Sequence, residues 1–130
     1  MAQRYGMGVL SWSPLAGGWL TGRYRKGRPA PTSSRAERLP ARYDLSDPDN
    51  QRKLEAAEAL AVLAENAGLS LVHLALAFVL AHPAVTAPII GPRTMDQLES
   101  QLGAVDVTLS TDVLDMAWLA YFGESSLPNR

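Results

Sequence analysis

Two groups of residues have the types and spacing to grip an anion. The first is the run Gly8-Val9-Leu10-Ser11-Trp12-Ser13-Pro14-Leu15-Ala16-Gly17-Gly18-Trp19-Leu20-Thr21-Gly22-Arg23. Gly17, Gly18 and Gly22 have no Cβ, so main-chain N–H groups there can come close to a ligand. An apolar strand that runs into such a loop and ends on a basic residue suits a polyanion such as a pyrophosphate. The spacing matches neither the dinucleotide fingerprint nor the P-loop pattern. The second group centres on Arg93, directly before an expected helix start. Free N–H groups and the helix dipole favour an anion there, and a guanidinium can clamp a phosphate with two prongs. Plainer roles stand beside these. Gly17 and Gly18 can simply turn the chain, Pro14 and Leu15 can simply pack, and Thr94 with Gln97 has the spacing of a capping box.

No comparable set offers proton transfer or metal binding. Lys26 and Lys53 fall in a loop and on a helix face, and His73 lies within a helix. His82, next to Pro83 at a helix end, is placed to neutralise the dipole. Tyr5, Tyr24, Tyr43 and Tyr121 lack a Lys or Asp partner in a readable motif. Two isolated histidines and no cysteine make no metal-ligand cluster and no disulfide frame.

The elements that must position these groups follow from periodicity. Residues 1–7 read as the last turn of a helix whose beginning is missing, with Gly6 as its stop. Val9 to Trp12 has the length of a buried strand, and Pro14, with no N–H to donate, ends it. Residues 24–50 carry Pro29, Pro31, Pro40 and Pro48 and read as one long irregular loop. Arg23, Arg25, Lys26, Arg28, Arg35, Arg38 and Arg42 make that loop basic. The charge would help draw in an anionic cofactor, although a solvated surface loop is the plainer reading for all but Arg23. From Asp49 to Ala67 a helix carries the stripe Leu54, Ala57, Leu60, Ala61 and Ala64, capped by Asp47 or Asp49 and ended by Gly68. Ser70 caps a buried helix from Leu71 to Ala81, and Val85 to Ile90 forms a second strand closed by Gly91 and Pro92. Thr94 opens a third helix that ends near Gly103. Ser110 or Thr111 caps a last one, Asp112 to Phe122, with Val113, Leu114, Ala117, Trp118 and Tyr121 as its buried face, before a tail from residue 124.

Strand and helix alternate, which predicts an α/β fold with a parallel sheet and helical crossovers. Two strands alone leave two unpaired edges and apolar faces that need more sheet or a barrel interior. With 130 residues, 47% of them hydrophobic and 19% charged, the chain has the composition of one globular domain. A net charge of −1 gives no global pull toward nucleic acid or membrane. Base-stacking aromatics are sparse in the basic loop, and no apolar run reaches a membrane span. The expectation is a cytoplasmic protein with no nucleic-acid and no membrane partner.

Two strings carry a resemblance. Ser13 to Arg23 resembles the loop after the seventh strand of the aldo-keto reductase barrel. Ala87-Pro88-Ile89-Ile90-Gly91-Pro92-Arg93-Thr94-Met95-Asp96-Gln97-Leu98 is similar to that family's eighth strand and the helix start behind it. The resemblance implies that residues 1–130 form the C-terminal part of a TIM (β/α)8 barrel: two β/α units and a C-terminal helix, incomplete as a domain. It implies NADP(H) as cofactor, with Ser13, Pro14, Leu15, Gly17, Leu20 and Arg23 at the pyrophosphate. Gly91, Arg93, Thr94, Gln97 and Gln101 would hold the adenosine half, Arg93 taking the 2′-phosphate that separates NADPH from NADH. Ser100 and Gln101 depart from the Glu and Asn common in the family. The family's catalytic Tyr, Lys, Asp and His come from the first half of its barrel, and no stretch here matches them, so no catalytic residue is assigned. The implied activity is hydride transfer between NADPH and an aldehyde or ketone. A carbonyl substrate would bind only in a complete barrel, with a partner chain as one source of the missing half. The alternative is a non-catalytic remnant that acts as a nucleotide-binding or protein-interaction module.

Overall fold

Side-chain caps start each of the long helices. In the computed structural model, which describes residues 1–123, Asp47 accepts from the N–H groups of Asp49 and Asn50 and opens α2, Pro48–Asn66. Ser70 accepts from the N–H of His73 at the head of α3, Leu71–Leu80. Thr94 and Ser110 do the same for α4, Met95–Leu102, and α5, Thr111–Phe122. Each cap satisfies a donor that the first helical turn leaves without a partner. The 3-10 turn Gln3–Tyr5 ends on Gly6, whose φ of 62° only glycine adopts without strain.

The stripe of α2 packs as its spacing predicts. Leu60, Ala61 and Ala64 meet Leu71 and Leu74 of α3 and Ala117 of α5 in one core cluster. A second cluster joins Trp19, Tyr24 and Tyr43 to Leu54 of α2. Its rings lie close, with centroids 4.4 Å apart for Trp19 and Tyr24 and 5.8 Å for Trp19 and Tyr43. That aromatic wedge fastens the loop segment onto α2, a packing that charge and proline content did not foretell.

Strands β1, Val9–Trp12, and β2, Val85–Ile89, pair in parallel, with Trp12 opposite Ile89. They are the sheet's two strands among the described residues, so each has one open edge. Helices α2 and α3 fill the crossover between them.

Four expectations need correction. Strand β1 is not buried: Leu10 is 64% and Trp12 82% exposed, because no described element lies across one face of the two-stranded sheet. Residues 24–50 are not irregular throughout. They hold α1, Ser34–Arg38, capped by the Ser33 hydroxyl on the N–H of Ala36, and a 3-10 turn at Pro40–Arg42. The second strand stops at Ile89, one residue early. In α5 only Ala117 of the expected face is fully buried, and Tyr121 is 55% exposed. The tail from residue 124 lies outside the described residues.

Candidate anion-binding site

Because Trp12 pairs with Ile89, both strands leave the sheet at the same end. The glycine loop follows one and the Arg93 turn follows the other. Ligands of parallel α/β sheets gather at this end, beyond the strand C-termini.

The loop after β1 is wound through left-handed backbone. Ser13 and Ala16 have φ of 57° and 49°, and Gly17, Gly18 and Gly22 have 70°, 108° and 81°. Positive φ in the two residues with a Cβ is disfavoured, and internal bonds hold it in place. Ala16 N–H donates to Ser13 O at 2.9 Å, and Gly17 N–H to Ser13 Oγ at 3.3 Å. Gly18 N–H donates to Leu15 O at 2.9 Å, and Thr21 Oγ1 to Gly18 O at 2.7 Å. Successive turns of this hand gather main-chain dipoles into a small concavity. Pro14, Leu15 and Leu20 are half-buried along the same loop, and Leu20 packs onto the main core.

The 24–50 segment closes over that loop. Gly17 O accepts two bonds, from Tyr43 Oη at 2.9 Å and from Arg35 Nη1 at 3.0 Å. Arg23 is exposed and donates to Thr32 O at 2.8 Å. A cavity of about 290 Å³ lies beside the loop, with Ser13, Gly17, Arg42 and Lys53 in a lining that is otherwise mostly apolar. Arg25 binds α2 instead of solvent. Its Nε and Nη2 meet the two carboxylate oxygens of Glu58, each at 3.0 Å, and its Nη1 meets Glu65 at 2.7 Å. The Arg25 guanidinium and the Lys26 N–H hold the Glu58 carboxyl below the usual carboxylate range. Burial, and then Tyr43, push the Tyr24 hydroxyl up, while Arg23 pulls the other way.

At the second string, Thr94 Oγ1 accepts from Gln97 N–H at 3.3 Å, and Gln97 Oε1 accepts from Arg93 N–H at 2.9 Å. The capping box therefore forms with a shift, since the glutamine reaches one residue further back than the usual pairing. Gly91 and Arg93 are exposed in the turn that enters α4. Arg93 Nη1 donates to Ser34 Oγ at 3.0 Å, a contact that links residues 59 positions apart. Its Nε and Nη2 have no partner among the described residues. Gln101 is only 9% exposed, and its Oε1 is buried without a hydrogen-bond partner among the described residues.

The two strings thus lie together, bound by Ser34, which the sequence did not single out, and by Arg35 and Tyr43, which it offered only as loop charge and as an unpartnered tyrosine. Ser34, Arg35 and Tyr43 are joined to them only across long stretches of chain. An aromatic count over Trp19, Tyr24 and Tyr43 was the one local signal for that. The Trp12 ring is bare at the strand end, next to Ser13. No group of three or more metal-ligating side chains occurs among the described residues, and no single described helix is long and apolar enough to cross a membrane.

The Aldo/keto reductase family profile matches residues 1–117. The chain is 40% identical over 115 residues to the uncharacterized oxidoreductase YrpG of Bacillus subtilis, covering 88% of this chain and 32% of that protein. It is 37% identical over 116 residues to a probable voltage-gated potassium channel subunit beta of Oryza sativa subsp. japonica, covering 85% and 34%. Among solved structures it is similar to a glycerol dehydrogenase of Gluconobacter oxydans, with a TM-score of 0.71 at 21% identity. That match covers 99% of this chain and 39% of the dehydrogenase. The chain spans about one third of the length of the curated relatives it matches.

Proposed function

Since this chain belongs to the aldo/keto reductase family and has the fold of part of its barrel, we propose that it supplies the NADP(H)-binding part of an oxidoreductase acting on an aldehyde or ketone. One observation carries the reading. The register that sets Trp12 against Ile89 brings the glycine loop and Arg93 out at one end of the sheet, so a single dinucleotide can touch both.

The residues fit such a cofactor. The left-handed loop from Ser13 to Gly18 receives the pyrophosphate, with Arg42 and Lys53 adding positive charge to the adjoining cavity. Arg93 keeps Nε and Nη2 for two oxygens of the 2′-phosphate. Gln101 is 9% exposed with its Oε1 closed off from solvent, so it meets adenine only when its side chain turns outward. The bare face of Trp12 suits stacking on a flat ring. When bound, the nicotinamide supplies or accepts the hydride. This chain's residues bind and orient. Proton transfer belongs to the tyrosine and its partners in the other half of the barrel, which a partner chain or further strands would provide.

The bare sheet face, with Leu10, Trp12 and Ile89 all exposed, fits that need for more barrel. It also favours a second reading, a non-catalytic module that docks to another protein, and the rice relative is named as a channel subunit.

Titration of the purified chain with NADPH and NADH, followed by fluorescence, separates the two. On the main reading NADPH binds more tightly, and Arg93→Ala brings the two nucleotides level. A folded chain that binds neither would discard the cofactor role and leave the docking module.

A further inference from the structure

Ser34 and Arg35 are neighbours in sequence, yet they reach the two halves of the site. Arg35 Nη1 and Tyr43 Oη hold Gly17 O, while Ser34 Oγ receives Arg93 Nη1. The segment between Thr32 and Tyr43 is therefore a strap across both strings. We infer that Ser34 is a specificity-determining residue for the 2′-phosphomonoester: it fixes the Arg93 guanidinium and adds a hydroxyl donor of its own. The inference rests on the NADP(H) reading above.

The chemistry follows from counting donors and lone pairs. A guanidinium has five N–H groups in a rigid fork. With Nη1 given to Ser34, the Nε and Nη2 pair remains, and such a pair suits two oxygens of one phosphate. An unrestrained arginine side chain would lose more rotamer freedom on meeting the anion, and the 3.0 Å contact removes part of that loss beforehand. A serine oxygen that accepts a bond still holds its own hydrogen, so Ser34 can donate to the same phosphate. Ser33 is not in contact with Arg93: its oxygen caps α1 through the N–H of Ala36, and the guanidinium reaches Ser34 instead. Nothing in this arrangement addresses a ribose that lacks the phosphate, so the effect concerns NADPH and not NADH.

The test compares Ser34→Ala, Ser34→Thr and Arg93→Ala with the unaltered full chain, in NADPH and NADH titrations with thermal unfolding alongside. Ser34 is exposed, so its variants should unfold at the original temperature. Loss of one hydrogen bond at this exposed, solvent-screened position should raise the Kd for NADPH about three- to tenfold and leave that for NADH within about twofold. Ser34→Thr, which keeps the hydroxyl, should restore NADPH binding. Equal weakening of both nucleotides, or no change in either, overturns the inference. If Arg93→Ala abolishes the preference for NADPH but Ser34→Ala does not, the role of Ser34 falls and the NADP(H) reading survives. If the chain binds no nucleotide, or Arg93→Ala changes nothing, both fall together.

Discussion

Replacing Arg25 with alanine should detach the start of the 24–50 segment from α2, and the geometry sets the size of the effect. The guanidinium forms a two-pronged pair with Glu58, with both distances at 3.0 Å and side-chain exposures of 21% and 25%. Hydrogen bonds to charged partners in partly sheltered positions contribute about 1.5–3 kcal/mol. The third contact, to Glu65, is shorter at 2.7 Å, but Glu65 is 59% exposed, and solvent-screened pairs of that kind contribute about 0–1 kcal/mol. The Glu58 pair therefore outweighs the shorter Glu65 contact. Arg25→Ala should cost about 2 kcal/mol, and Arg25→Lys, which cannot reproduce the fork, most of that. Urea unfolding of Arg25→Ala, Glu58→Gln and the double variant gives the coupling energy, expected at roughly 1–2 kcal/mol at neutral pH. The pH dependence has a definite sign. The folded pKa of Glu58 is depressed, so its contribution is complete above the unfolded glutamate value of about 4.3 and disappears as pH falls through the lower folded value. A coupling energy near zero at neutral pH, or one that grows in acid, would refute the reasoning. So would an Arg25–Glu65 coupling larger than that to Glu58.

Two further outcomes follow from the packing. Leu74 is 1% exposed at the centre of the main core, so Leu74→Ala should cost about 2–5 kcal/mol; an unfolding midpoint close to the original would mean that the core lies elsewhere. Gly17→Ala would set a Cβ 3.2 Å from Tyr43 Oη on a residue with φ of 70°, for a cost of about 1–3 kcal/mol. It should also loosen Tyr43, which near-ultraviolet circular dichroism would register as a weakened aromatic signal, and an unchanged spectrum would contradict the bond to Gly17 O.

Elements with a local cause were legible in the sequence. Val9 to Trp12 is apolar and stopped by Pro14, and the strand has those bounds. Leu54, Ala57, Leu60, Ala61 and Ala64 repeat at helical spacing, and all five are buried on α2. Ser70, Thr94 and Ser110 cap helices because their side chains reach N–H groups three residues ahead. What stayed hidden depends on distant partners. The five residues of α1 have no apolar period, and contacts to Gly17 and Arg93 hold them in place. The exposure of Leu10 and Trp12 was equally illegible, because a strand's pattern tells which side is apolar and not whether anything covers it. The backbone of Ser13 and Ala16 escaped notice for a related reason. Residues with a Cβ seldom adopt positive φ, and nothing in their identity announces it.

The parallel pairing also bears on how the molecule assembles. Val9 pairs with Val85 across a long stretch of chain that includes α2 and α3, and contacts so far apart in sequence carry a large loop-closure cost that slows folding. Before that closure the glycine loop and Arg93 are separate pieces of chain. A ligand that needs both can bind only the closed crossover, and by mass action it draws the population toward that state. On the NADP(H) reading, nucleotide should therefore stabilise the paired strands as a unit, as a seal on a ring that the chain has drawn shut.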